Sequence, residues 1–116
     1  SGNHIVPVAK IRLRSRSGIF EETSRGDGPV DACYKAIEKI TKLRCQLLDY
    51  NLQSLTRGKD ALGEVSVRLK VKTKEIFGRA SSTDIIEASI KAYLQAINKI
   101  VSERVKVCSA VSGQRY

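Results

Sequence analysis

The sequence has few of the residues that catalysis and metal binding depend on. A single histidine, His4, lies beside the N-terminus. The three cysteines, Cys33, Cys45 and Cys108, are widely spaced, with no Cys-x-x-Cys pair. At these spacings they cannot complete a zinc site with His4, so the expectation is idle thiols in a reducing compartment, hence a cytoplasmic protein. No apolar run approaches the roughly 20 residues a membrane-spanning helix needs. No basic stretch followed by an apolar segment opens the chain, so a signal peptide is not expected. Phe and Tyr are also scarce, two and four respectively.

What is abundant is positive charge, 21 Lys and Arg against 12 Asp and Glu, a net +9. Such a balance points to a polyanion partner or to a piece whose acidic complement lies elsewhere. Apolar residues at 41% and a length of 116 suit a folded chain with its own core. A single domain is expected over residues 1–105, with 106–116 as a flexible tail, because no periodicity is visible after Lys106.

The hydrophobic pattern changes period along the chain. Between Val6 and Arg16, Ala9, Ile11 and Leu13 alternate with Lys10, Arg12 and Arg14, as in a half-buried strand. Ser17-Gly18 marks a turn, and Ile19 to Ser24 a second strand. Pro29 suits the first position of a helix, and Val30, Cys33, Tyr34, Ile37 and Ile40 follow at helical spacing. Cys45 to Thr56 reads as a strand, Arg57 to Asp60 as a turn. Val65, Val67, Leu69 and Val71 alternate with Arg68, Lys70 and Lys72 in the next strand, and Glu75 to Ala80 returns. Asp84 is placed to cap a last helix, with Glu87 completing a capping box. Ile86, Ile90, Tyr93, Leu94, Ile97 and Ile100 form the core stripe of that helix.

An internal echo runs through this order. Arg12-Leu13-Arg14, Ile19-Phe20 and Ala36-Ile37-Glu38-Lys39-Ile40 reappear as Arg68-Leu69-Lys70, Ile76-Phe77 and Ala96-Ile97-Asn98-Lys99-Ile100. Two copies are too few for a solenoid. They predict an α+β fold: two β-rich units related by a pseudo-two-fold, each with one helix packed on its strands.

No nucleophile elbow, phosphate-binding Walker loop or dinucleotide fingerprint is present, and the acidic residues are scattered, so the fragment is not expected to be an enzyme. Two loops stand out. Gly26-Asp27-Gly28-Pro29 enters a helix start, whose free N–H groups accept a carboxylate or phosphate; a plain tight connection explains the same residues equally well. Arg79 to Asp84 precedes the second helix in the equivalent place, where its small hydroxyl residues serve as caps or meet a polar ligand.

Three blocks then resemble the C-terminal regulatory domain of α-isopropylmalate synthases and citramalate synthases. They are Gly26 to Ala32 running on to Ile37; Leu48-Asp49-Tyr50 with Leu55 to Val65; and Ser82 to Ser89 with Ala92 to Asn98. The resemblance implies two similar β-rich units, a homodimer, and a branched-chain amino-acid effector, leucine or isoleucine, bound where the two domains meet. It also implies a catalytic domain elsewhere in the parent chain, condensing acetyl-CoA with a 2-oxo acid and using a divalent metal, with no cofactor in this domain. By the same resemblance the effector pocket falls on Gly26, Gly28, Val30 and Asp31, on Leu47, Tyr50, Ser54, Ala61 and Gly63, and on Ser81. The carboxylate of Asp31 or Asp49 would meet the effector ammonium. Ala80, Ser54 and Ser81 depart from the family's usual residues, which bears on pocket shape.

Two other readings remain open. The basic rows Arg12-Arg14-Arg16 and Arg68-Lys70-Lys72-Lys74 could track phosphates, but no aromatic residue interleaves with them as a stacking platform, so a nucleic-acid interface is disfavoured. A dimerisation domain without a ligand would share the same fold.

Overall fold

The computed structural model describes residues 5–115. The chain forms six strands and two helices: β1 (Val6–Ser15), β2 (Gly18–Arg25), α1 (Pro29–Thr41), β3 (Gln46–Arg57), β4 (Asp60–Val71), β5 (Lys74–Ser82), α2 (Ile85–Ile97) and β6 (Lys106–Arg115). They make two antiparallel sheets, ordered β2-β1-β6 and β3-β4-β5. The α+β class and the two similar β-rich units match the sequence pattern.

Two-residue turns join the hairpins. Ser15 pairs with Gly18 and Val71 with Lys74, while Arg57 pairs with Asp60 across Gly58-Lys59. Gly58 (φ +62°) and Lys72 (φ +56°) supply the left-handed backbone that such turns require. On each central strand the apolar parity lies under a helix. Ala9, Ile11 and Leu13 of β1 are fully buried, as are Val65 and Leu69 of β4. The helices repeat one burial pattern: Ala32, Cys33, Tyr34, Ala36 and Ile37 of α1 match Ala92, Tyr93, Leu94, Ala96 and Ile97 of α2. Helix α2 adds one buried turn, Ala88, Ser89 and Ile90, at its start. Of its expected core stripe, Ile86 and Ile100 are half-buried and the rest buried.

Two expectations need correction. Residues 106–115 are not a loose tail, because they form β6, which pairs with β1 from Arg14↔Lys106 to Val6↔Arg115. Small exposed side chains and a register shift opposite Arg12/Leu13 hide its alternation; backbone pairing to the open edge of β1 holds it. The chain divides into unit 1 (residues 1–43 and 105–116) and unit 2 (44–104). Second, the echo slips by one residue in the second strand of each unit. Leu13 pairs with Phe20 and Leu69 with Ile76, so Ile76 is the counterpart of Phe20, and Phe77 lies opposite Arg68 on the other face.

Two glycines let helix and sheet approach. A Cβ on Gly78 would lie 1.9 Å from the Ala92 carbonyl oxygen, and one on Gly26 2.3 Å from the Ala32 nitrogen. Both contacts are with backbone, so no side-chain adjustment relieves them.

Candidate functional site

In unit 2, helix α2 lies over β4 and β5 and leaves β3 at the open side of the sheet. Pairing fixes which side chains share the helix side, because paired residues point the same way and neighbours alternate. Tyr50 is opposite Val67, Leu52 opposite Val65, Ser54 opposite Gly63, and Ser82 opposite Gly63 from the other flank. Leu47, opposite Leu69, joins the same side. The result is a strip of apolar and hydroxyl side chains, in which Leu47, Leu52 and Ile85 of α2 remain 43%, 48% and 42% exposed.

Gly63 lies at the middle of this strip. A Cβ there would stand 3.3 Å from Ile85 Cγ1 and 3.4 Å from Leu52 Cδ1. Ile85 and Leu52 thus already close over Gly63, too tightly to admit even a methyl group without shifting. Beside it, the Tyr50 hydroxyl is 2.7 Å from Ser89 Oγ, and Ser89 is fully buried on α2. Asp84 caps the helix that carries Ile85 and Ser89, accepting from the N–H groups of Ile86 (2.8 Å) and Glu87 (3.4 Å). The expected capping box is only half made. Glu87 pairs with Lys91 at 2.6 Å and accepts from the Ser82 hydroxyl, whereas the Asp84 N–H donates to Ser82 Oγ. The Lys91 ammonium holds the Glu87 carboxyl below its usual pKa.

Other expected residues lie elsewhere. Asp49 is opposite Arg68, on the face away from α2, and accepts from Arg68 Nε at 2.7 Å. Arg68 also donates to Glu75 at 2.8 Å, and its pKa is raised by Glu75 first and Asp49 second. Ser81 is opposite Glu64, on the same outer face as Asp49. Ala61 shares the helix-side parity of Gly63, at the hairpin end and exposed.

Gly26, Gly28, Val30 and Asp31 belong to unit 1. Gly28 is the N-cap of α1, with no side-chain cap and nothing within 4 Å of where a Cβ would be. The Asp27 N–H donates to Asp31 Oδ2 at 2.8 Å, and Lys35 pairs with the same oxygen at 3.0 Å. A carboxylate of the chain thus already occupies the electropositive helix start. Partial burial pushes the Asp31 carboxyl up, but the Asp27 N–H and Lys35 outweigh it and hold its pKa below the usual value. Val30 is half-buried.

The basic rows are partly neutralised across the strands. Arg12 donates to Glu21 at 3.0 Å and Lys10 pairs with it at 3.5 Å, while Arg68 has two carboxylates. Cross-strand pairing of this kind marks a solvated sheet face and leaves fewer cations for phosphates. Among the described residues no group of three or more His, Cys, Asp or Glu could hold a metal ion. Cys33 is buried, Cys45 half-buried and Cys108 exposed, none of the three in a disulfide, and His4 lies outside the described residues. No described helix is long and apolar enough to cross a membrane.

Leu52, Ile85 and Ser89 were not among the expected site residues, whereas Ser82 was expected only as a loop hydroxyl that caps the helix or meets a polar ligand. Leu52 was signalled by its parity with Tyr50 and Ser54, and Ser89 by being a hydroxyl residue within an apolar helix stripe.

The arrangement is accompanied by clear likeness to known proteins. A family described as the LeuA allosteric (dimerisation) domain matches residues 1–101. A 2-isopropylmalate synthase of Heliobacterium modesticaldum is 54% identical over 101 residues, 87% of this chain and 20% of the relative. Those of Carboxydothermus hydrogenoformans and Ruminiclostridium cellulolyticum are 50% and 45% identical, over 87% and 89% of the chain and 20% of each relative. The chain thus spans about one fifth of the length of the curated relatives it matches.

Proposed function

The chain belongs to the LeuA allosteric (dimerisation) domain family, and from that premise we propose that it is the feedback-sensing domain of a 2-isopropylmalate synthase. Its effector is leucine, or isoleucine if the parent is a citramalate synthase. The domain acts without a cofactor, as a cytoplasmic homodimer, and carries no catalytic group of its own. Acyl transfer belongs to a catalytic domain elsewhere in the parent chain.

One observation supports this most directly: the exposed apolar strip of Leu47, Leu52 and Ile85, with Tyr50 and Ser54 on the same side of the sheet. A branched aliphatic side chain complements such a strip, and its full burial is worth about 1.5–3 kcal/mol. Telling leucine from isoleucine rests on shape, with about 1–3 kcal/mol available for it.

Calorimetric titration of the 116-residue chain with leucine, isoleucine and valine tests the proposal. We expect saturable binding of one of the three, and a ligand-dependent rise in melting temperature of the kind linkage demands. Flat titrations for all three would overturn the effector assignment. The exposed Leu47 and Leu52 equally favour a second reading, a dimer contact with no ligand. Sedimentation equilibrium showing a dimer whose melting responds to none of the three would establish that alternative.

A further inference from the structure

Two oxygens set the hydrogen-bond polarity of Tyr50. Ser89 Oγ lies 2.7 Å from the Ile85 carbonyl oxygen and 2.7 Å from the Tyr50 hydroxyl. Oxygens that close require a proton between them. A carbonyl carries none, so the single Ser89 proton points at Ile85. The proton of the second contact must then come from Tyr50. Its hydroxyl donates to Ser89, and what remains on the phenolic oxygen is acceptor capacity alone.

We infer that Ser89 is a positioning residue that makes Tyr50 an obligate acceptor, so that the group Tyr50 receives from a ligand is a donor: the α-ammonium of an amino acid. This rests on the effector site proposed above. The two carboxylates first expected to meet the ammonium are engaged elsewhere. Asp49 is on the far face of the sheet with Arg68, and Asp31 is held by the Asp27 N–H and Lys35. No carboxylate shares the helix-side parity of β3, where Tyr50 is flanked by Leu52 and Ser54. At the start of α2, Asp84 is taken up by the N–H groups of Ile86 and Glu87, and Glu87 by Lys91 and Ser82. That leaves the Tyr50 oxygen as a neutral acceptor of fixed direction for a cation. Ser89 also ties Tyr50 to the first turn of α2, which holds Ile85 against Gly63. One buried hydroxyl thus orients both the polar and the apolar side of the site.

The test compares leucine with 4-methylpentanoate, the same carbon skeleton and carboxylate without the amine. Titrations use the full chain in four forms: unaltered, Ser89→Ala, Tyr50→Phe and the double variant. The unaltered chain should prefer leucine by about tenfold or more, the worth of one hydrogen bond to a charged group. In Ser89→Ala the tyrosine proton is released, and the preference should fall to about threefold or less. Tyr50→Phe should compress it similarly, and the double variant should add nothing further. A purely structural role for Ser89 would weaken both ligands alike and leave their ratio unchanged, which overturns the inference. Should Ser89→Ala fail to fold, Tyr50→Phe decides alone: an unaltered preference in that variant sinks the assignment. An unaltered chain that binds neither ligand rejects the effector site itself and this inference with it. That outcome is distinct from one in which leucine binds but the ratio ignores both substitutions.

Discussion

Units 1 and 2 build the same helix-covered sheet from differently ordered chain. Unit 2 is continuous: β3, β4, β5 and α2 follow one another within residues 44–104. Unit 1 takes β1, β2 and α1 from one end of the sequence and its third strand, β6, from the other. The units also start their helices differently. Asp84 caps α2 with two hydrogen bonds, whereas α1 begins at Gly28 with no side-chain cap and relies on Pro29 and on Asp31 in its first turn. The contrast teaches that a three-strand sheet with one helix is satisfied by any chain order that fills the third position. What the order changes is the dependence of each unit on distant residues.

The largest break in this comparison comes from removing β6. A chain ending at Val105 leaves β1 with an unpaired edge and uncovers part of the unit 1 core. Hydrogen exchange followed residue by residue should show protection lost across β1, β2 and α1 and retained across β4, β5 and α2. Equal loss in both units would show that they fold as one body.

Glycine substitutions come next, with about 3 kcal/mol or more expected for Gly78→Ala and for Gly26→Ala. Each new Cβ meets helix backbone at 1.9 and 2.3 Å respectively. Gly28→Ala is the control: with φ at −163° and open space around it, the cost should stay below about 1 kcal/mol. Denaturant melts of the three variants rank them, and a Gly78→Ala chain as stable as the Gly28→Ala chain would contradict the close packing of α2 on β5.

Smallest are the effects at the helix starts. Asp84→Ala should cost about 0.5–2 kcal/mol. The contribution of Asp31 should be smaller, because it is part-exposed and screened. Its sign is fixed by linkage. The folded pKa of Asp31 is depressed, so its stabilisation is present above the ordinary aspartate pKa of about 3.9 and is lost as pH falls through the lower folded value. Asp31→Asn should therefore reduce stability near neutrality and lose that deficit in acid. A deficit that persists at the lowest pH would show that Asp31 acts through packing instead.

Much of this was readable in advance. The alternation in β1 and β4 placed Ile11 and Leu69 in the core, and Pro29 and Asp84 marked helix starts where they occur. These signals are local: a period of two or 3.6 is written into neighbouring residues, and a cap acts within one turn. The blocks around Tyr50 and Gly63 were legible for the same reason, as contiguous runs.

What the sequence by itself determined, then, was the periodicity of each element, the caps and turns, and the doubled order of strand pair and helix. Only the tertiary structure decided that β6 joins β1, that Phe20 is the counterpart of Ile76, that Asp49 and Ser81 face away from Tyr50, and that Ser89 reaches the Tyr50 hydroxyl. The physical reason is common to all four. A register shift of one residue sends a side chain to the opposite face, and an edge strand is held by backbone hydrogen bonds that are indifferent to side-chain identity. Neither the partner of a strand nor the face of a residue beside a bulge is encoded in its immediate neighbours.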